Sequence, residues 1–416
     1  MASETNVSHE TSRSEPADLR TDSASLHVLT LTPFFPSAEN PVYGTYIAEP
    51  IEHFAEFKLH STVIAVSPLH HPRRHAAPNA IAQWLRYPMI PSNAGLTTAG
   101  YFLYRRSLAR VQRIHRRSRI DVIHAHAALP CGHAAALLAE RLRVPFVVTI
   151  HGLDVFNACF GPETAAAKRR AKLSMDVYRR AASVICISRQ VENILKKGIG
   201  EAPSSRVIYN GTDPELFFPS GSAASNGSAS ISASAPQNIL MVGNLLRGKG
   251  QEVVFKAMAQ IEPEFPDLSC TLIGEGSDER RFIELTRTLG ITERVSFLGR
   301  QNRQAVAEAM RKCTVFALPS RFEGLGCAYL EAMACGKPVI ACDGQGIAEI
   351  IRNRENGWLI PVDGVTEMAG ALRQLLSSSD LRTNIGINAR KTILNGLTLR
   401  DQVRQLNDLY CEVTRS

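Results

Sequence analysis

The sequence predicts an α/β protein made of two doubly wound halves, each a parallel sheet with helices on both faces. Three observations carry that prediction. At 416 residues the chain is too long for one compact core and suits two domains. After residue 236, short apolar runs alternate with segments of helical period, the pattern of parallel βαβ units. Between the halves lies PSGSAASNGSASISASAP, residues 219–236, a Ser/Ala/Gly run that cannot pack a core and reads as a flexible linker.

Taken in order, residues 1–25 are polar, mixed in charge and without a hydrophobic signal core, and are expected to be a disordered tail. The first half offers strand candidates at Leu26–Leu31, Ser61–Val66, Asp121–Ala125, Pro145–Ile150, Val184–Ile187 and Arg206–Ile208. The second half is tidier, with strands expected at Ile239–Val242, Cys270–Ile273, Val295–Leu298, Thr314–Leu318, Pro338–Ala341 and Trp358–Pro361. Helices are expected between them at Gln251–Gln260, Asp278–Leu289, Gln304–Arg311, Cys327–Ala334 and Glu367–Leu376. Two such sheets create a cleft between their strands' carboxyl ends, the place where open α/β sheets bind ligands.

Composition narrows the partners. Nine scattered cysteines, with no C-x-x-C pair and an odd count, read as free thiols in a reducing cytoplasm. No apolar run approaches the roughly 18–20 residues that span a bilayer. The net charge of +8 is uneven, +7 over residues 1–218 against +1 over 219–416. Residues 57–120 hold eleven basic residues and no acidic one. Within them Tyr101–Arg119 places Leu103, Leu108, Val111 and Ile114 at helical spacing, with arginines over much of the remaining surface. One reading is a helix on the sheet with a solvated face; the other is a basic surface that meets anionic lipid headgroups. No recognised motif for nucleic acid accompanies the charge.

Two stretches carry chemistry. In SRFEGLGCAYLEAMACGKPV, residues 320–339, Glu323 follows a strand on a loop, and Glu331 lies in the helix that Gly336 and Pro338 stop. Gly324 and Gly326 let the backbone turn sharply beside a ligand. Backbone N–H groups near Leu325 to Ala328 would face the cleft, a favourable place for phosphate. The two carboxylates then suit hydroxyls on either side of a diphosphate; the alternative is a helix cap and a surface residue. The second stretch, MVGNLLRGKG at 241–250, is a strand, a glycine-rich turn and a helix start. Arg247 and Lys249 are placed there to meet phosphate oxygens, or else form a solvated basic turn. His124, His126 and His133 lack a third acidic or cysteine ligand at useful spacing, so no metal site is expected. Asp154 either orients His151 or caps the next helix.

Together these segments resemble the retaining GT-B glycosyltransferases of glycosyltransferase family 4. The Glu323…Glu331 element within PS-x-x-EG-…-LEAMACGKPV is similar to that family's most diagnostic motif. G-N-x-x-x-KG at 243–250, GEG at 274–276, FLG at 297–299, GQG-I-x-EII at 344–351 and NGWL at 356–359 extend the likeness. In the first half YGTYI at 43–47, HGLD at 151–154 and YNGTD at 209–213 match more loosely.

The resemblance implies two Rossmann-like domains, an acceptor-binding one over 26–218 and a nucleotide-sugar-binding one over 237–398. A last helix over 399–416 would cross back to the first. It implies that Glu331 holds the donor's ribose, that Glu323 holds its hexose, and that Lys249 with Arg247 neutralises the diphosphate. Backbone amides at Leu325 and Gly326 would complete the phosphate site. Gly243, Asn244 and Arg300 belong to the donor side, and Gly44 would let the first loop close over the phosphate. His151 would stand across the cleft beside the anomeric carbon, with His126 and Asp154 on the acceptor side. Asn244 departs from the family, which commonly has Arg there; Arg247 is the candidate replacement. The implied reaction moves a hexose from a UDP- or GDP-type sugar to a glycan or lipid-linked acceptor, with retention and without a divalent metal. It places the enzyme in exopolysaccharide or cell-surface glycan synthesis, in the cytoplasm and peripheral to the inner face of the membrane. The rival readings are an NDP-sugar epimerase or hydrolase on the same fold and a non-catalytic partner subunit. An oxidoreductase is disfavoured, because no dinucleotide fingerprint follows either first strand.

Overall fold

The computed structural model describes residues 25–76, 81–152, 164–199, 204–220 and 237–415. Residues 1–24 of the expected tail, most of the expected linker and Asp154 lie outside the described residues.

The first sheet contains β1 (Leu26–Thr32), β2 (Leu59–Pro68), β3 (Ala82–Tyr87), β4 (Val122–His126), β5 (Phe146–Ile150), β6 (Ser183–Cys186) and β7 (Ser205–Val207). All are parallel, in the order β3-β2-β1-β4-β5-β6-β7. Every residue of β4 and β5 is buried, so helices cover both faces, as continuous apolar strands require. The second sheet contains β8 (Asn238–Val242), β9 (Ser269–Ile273), β10 (Val295–Phe297), β11 (Val315–Ala317), β12 (Val339–Cys342) and β13 (Trp358–Ile360). Its order is β10-β9-β8-β11-β12-β13, again parallel. The expected pair of doubly wound halves is therefore the observed architecture.

Helices α1 (Thr45–Glu52), α2 (Leu96–Arg117), α3 (His133–Leu142), α4 (Ala165–Arg180) and α5 (Arg189–Ile199) accompany the first sheet. Helices α6 (Gln251–Ile261), α7 (Glu279–Thr288), α8 (Arg303–Lys312), α9 (Cys327–Ala334), α10 (Val365–Ser377) and α11 (Ser379–Leu394) accompany the second. The last, α12 (Leu399–Arg415), returns to the first sheet. Its Val403, Leu406, Leu409 and Tyr410 join the cluster around Phe54, Val63 and Val122.

Strand β3 has no counterpart in the sequence reading. It is an edge strand whose buried positions, Ala82, Leu85 and Tyr87, are interrupted by Gln83 and Arg86, so it lacks an apolar run. Helix α2 begins five residues before the expected stretch. It buries Ala99, Leu103 and Val111 and leaves Arg105, Arg106, Arg113, Arg116 and Arg117 exposed beside Tyr101 and Phe102.

The chain passes between the sheets once after β7 and again before α12. The two passages meet: Thr212 donates its N–H to the Leu397 carbonyl (3.0 Å) and accepts from Leu399 N–H (3.1 Å). In each sheet the strand order reverses beside the first strand, between β1 and β4 and between β8 and β11. Loops leaving those strands diverge there and open a crevice, and the two crevices face each other.

Candidate active site

The loops after β8, β11 and β12 are tied together. Arg321 N–H donates to the Gly248 carbonyl (2.8 Å), Glu323 N–H to Gln345 Oε1 (3.0 Å), and Gly346 N–H to the Glu323 carbonyl (3.0 Å). This frame brings Lys249 Nζ to 2.5 Å from Glu323 Oε2, both side chains being mostly buried. Helix α9 starts at once after Gly326. Tyr329, buried beneath it, donates to the Leu318 carbonyl and locks the helix to the end of β11. The first turn of α9, Lys249 and Glu323 thus share one end of the second sheet. Helix N-termini carry partial positive charge and unpaired N–H groups, so this end suits an anion flanked by hydroxyls.

Glu331, within α9, is 6 % exposed, and its Oε1 accepts from Arg303 Nη1 at 2.5 Å. Arg300, expected on the donor side, is exposed and paired with Glu275 (2.9 Å). Arg247 and Asn244 are exposed on the turn after β8. There the Arg247 N–H donates to Asp278 Oδ2 (3.1 Å), and the Asn244 carbonyl accepts from Gln251 Nε2 (3.0 Å). The N–H of Gly243 donates to the Ile273 carbonyl (2.9 Å), holding that turn to β9. The structure therefore brings Lys249, Glu323, Leu325 and Gly326 together and leaves Arg247, Asn244 and Arg300 at the rim.

From the first sheet the crevice receives aromatic and neutral groups. His151 follows β5, and its Nε2 lies 3.1 Å from Nδ1 of His126, the last residue of β4; the two rings stack. Phe34 and Tyr46 meet the His151 ring edge-on, with centroids 5.9 Å and 5.0 Å away. Burial holds His151 and His124 down to about 3, and keeps His126 well below its ordinary value, so all three are neutral imidazoles. His126 is 6 % exposed and backs His151, and both rings line one small cavity at the ends of β4 and β5. His124 continues the row inward, its two ring nitrogens on Tyr410 Oη (2.6 Å) and Thr149 Oγ1 (2.7 Å). His133 starts α3 and does not join them. Among the described residues no three His, Cys, Asp or Glu side chains converge as a metal site.

Gly44 has φ of 80°, and a side chain there would come within 2.5 Å of the Phe34 carbonyl carbon, so the loop after β1 folds tightly onto itself. Across the crevice the two sheets touch: a side chain at Gly324 would reach within 3.2 Å of the His151 carbonyl oxygen.

Two further bridges cross between the sheets. Glu349 accepts from the N–H groups of Arg189 (2.9 Å) and Gln190 (2.6 Å) at the start of α5, and from Tyr209 Oη (2.9 Å). Arg303 holds Glu49 of α1 as well as Glu331. Sequence reasoning missed Arg303, Glu49, Gln345, Phe34 and Tyr46 as site residues. Gln345 and Tyr46 lie inside quoted motifs and were findable; Arg303 and Glu49 are 254 positions apart with no local pattern to mark them.

Comparison with known proteins bears on family and fold. Residues 229–392 match the model of glycosyl transferases group 1, and residues 44–216 match that of Glycosyltransferase Family 4. A glycosyltransferase of Methanocaldococcus jannaschii is 30 % identical over 272 residues, covering 65 % of this chain and 70 % of that protein. The N-acetyl-alpha-D-glucosaminyl L-malate synthase of Bacillus anthracis is 28 % identical over 311 residues, 74 % of this chain and 78 % of its own. Among solved structures, sucrose-phosphate synthase of Thermosynechococcus elongatus superposes with a TM-score of 0.74 at 22 % identity, over 94 % of this chain and 99 % of that one. HepE of Anabaena, solved with UDP and glucose, gives 0.71 at 20 % identity, over 92 % and 99 %. With both halves matched in order, and with two parallel sheets facing each other across the Lys249–Glu323 crevice, the chain belongs to the family 4 glycosyltransferases of GT-B fold.

Proposed function

We propose that this glycosyltransferase moves a hexose, with retention of anomeric configuration, from a nucleoside-diphosphate sugar of UDP type to a hydroxyl of a glycan or lipid-linked acceptor. The observation that carries the reading is the Lys249–Glu323 pair at the start of α9, opposite the neutral His151. As the anomeric C–O bond breaks, negative charge grows on the departing diphosphate. Lys249 and the first N–H groups of α9 stand where that charge forms, and preorganised donors of this kind are the largest catalytic contribution. Glu323 accepts from hexose hydroxyls and Glu331 from the ribose diol. The acceptor hydroxyl attacks the face the diphosphate leaves, and its proton passes to a diphosphate oxygen, so no protein base is needed. Neutral His151 exchanges a hydrogen bond with an outer sugar hydroxyl. UDP as the nucleotide is supported by HepE, whose structures hold UDP, UDP with glucose, and UDP-glucose.

The acceptor is placed in exopolysaccharide or cell-surface glycan synthesis, with the enzyme on the inner face of the membrane. The exposed arginines of α2, beside Tyr101 and Phe102, support a peripheral contact with anionic lipid. Among the described residues no helix is long and apolar enough to cross a membrane.

A thermal-shift panel of UDP, GDP, ADP and their sugars tests the donor. At a ligand concentration about 100 times its Kd, mass action adds about 2.7 kcal/mol of stability. A rise with UDP and UDP-hexoses above the other bases is expected. No shift with any nucleoside diphosphate would remove the reading.

A further inference from the structure

Glu331 is a carboxylate taken almost wholly out of water, and such a group persists only when paired. Its cation is Arg303, the first residue of α8, fixed in place because Asn302 caps that helix by accepting from Ala305 N–H at 2.9 Å. The guanidinium does more than meet Glu331. Its Nη2 donates to Glu49 Oε2 at 2.8 Å, its Nε lies 2.7 Å from Glu49 Oε1, and its plane sits over the Phe217 ring at 4.8 Å. Glu49 belongs to α1, on the other sheet. One mostly buried cation therefore joins the carboxylate given to the ribose with a carboxylate across the cleft.

We propose that Arg303 is a positioning residue for donor capture: it supplies the cation that fixes Glu331, with one oxygen on the guanidinium and the other left for the ribose diol, and through Glu49 it makes that hold depend on the two domains being closed. The proposal rests on the ribose role given to Glu331 above. A carboxylate offers about four lone-pair sites, so the single bond from Nη1 leaves room for both ribose hydroxyls.

The groups facing this cluster are few. Glu49 faces Arg303, Glu331 and Glu52; Glu331 faces Arg303, Glu49, Cys327 and Cys335. Burial pushes both thiols up to about 12, so they stay neutral. Burial also pushes Glu49 up to about 7, against the pull of Arg303. Arg303 itself is disfavoured by burial, yet Glu331 and Glu49 outweigh it and hold it above its ordinary value. Without the guanidinium, the buried Glu331 and the mostly buried Glu49 face each other with no cation, and the pair takes up a proton.

The test uses Arg303→Met and Arg303→Lys in the full chain, titrated from pH 6 to 9 with whichever of UDP, GDP and ADP binds the wild type. The readout is the ratio of variant to wild-type Kd, in which titration of the nucleotide cancels. For Arg303→Met the ratio is expected near tenfold or more at pH 6.5 and within about threefold by pH 9, as the carboxylate pair gives up the proton it shares. Arg303→Lys, which keeps the charge but not the fork, is expected to weaken binding by a ratio that stays constant from pH 6 to 9. Should Arg303→Met not fold, Arg303→Gln, which keeps hydrogen bonding without charge, carries the same expectation. A ratio for Arg303→Met or Arg303→Gln that is constant with pH, whatever its size, overturns the proposal, because loss of a merely structural arginine weakens binding equally at every pH. Glu331→Gln separates the two layers: if it binds as the wild type does, the ribose reading fails. If it weakens binding while the Arg303→Met ratio stays flat, only this inference fails. Binding of none of the three nucleotides removes both.

Discussion

The second sheet meets the cleft with formal charges, Lys249 and Glu323 at 2.5 Å, whereas the first sheet brings His126 and His151, two neutral rings in contact at 3.1 Å. Both pairs stand at strand carboxyl ends beside a reversal in strand order, so the topology is shared and only the chemistry differs. A leaving group that gains negative charge needs cations and oriented amides. A sugar ring needs shape, apolar edges and a hydrogen-bond partner that does not change its charge. The division matches the motifs: the charged site groups lie in the dense motifs of the second half, the neutral rings in the short ones of the first.

Replacing the two halves one at a time sharpens this contrast. Lys249→Ala removes the cation beside the departing diphosphate and leaves Glu323 without its partner. Its kcat is expected to fall about 10²–10³-fold, by analogy with lost oxyanion donors, as read in single-turnover transfer. His151→Ala is expected to slow transfer by roughly 10–100-fold while nucleoside-diphosphate affinity stays within about twofold. Equal loss of donor affinity in both variants would break the assignment of charge to one sheet and shape to the other.

Stability against pH offers a gentler test. His124 and His151 have folded values near 3 against an ordinary 6.5, so the unfolded chain binds more protons between those limits. Stability is full above pH 6.5 and is lost as the pH falls, at about 1.4 kcal/mol per pH unit for each such ring. Glu49, raised to about 7, works the other way between pH 4.5 and 7, but it is one group against two. Melting from pH 7 to pH 5 is therefore expected to show a drop that His151→Asn reduces; an unchanged slope would mean the ring is not buried neutral. The smallest effect belongs to the outer face of the first sheet. Sedimentation with vesicles containing anionic lipid is expected to carry down the wild type and less of an Arg105→Ser/Arg106→Ser variant. Co-sedimentation indifferent to lipid charge at physiological salt would end the membrane role given to α2.

Much of this was legible in the chain. Helix α9 falls on the residues expected of it, because Gly326 and Gly336 punctuate it at both ends. All six strands of the second sheet shift by only a residue at either end, since their apolar runs have no competing reading. What escaped did so for physical reasons. Strand β3 hides in a basic stretch, its outward positions taken by Gln83 and Arg86. The neutrality of His151 depends on burial beneath Phe34 and Tyr46, which no local spacing reports. Arg303 and Glu49 meet only because two domains close on each other, and contacts across a cleft leave no periodicity in either segment.

The knot between Thr212 and the 397–399 segment sets how such an enzyme can breathe. Two tethers pinned at one point behave like the two knuckles of a single door hinge. With both crossings bonded to each other, the lobes share one short pivot rather than two separate ones, and Glu49 and Arg303 face each other on opposite sides of it.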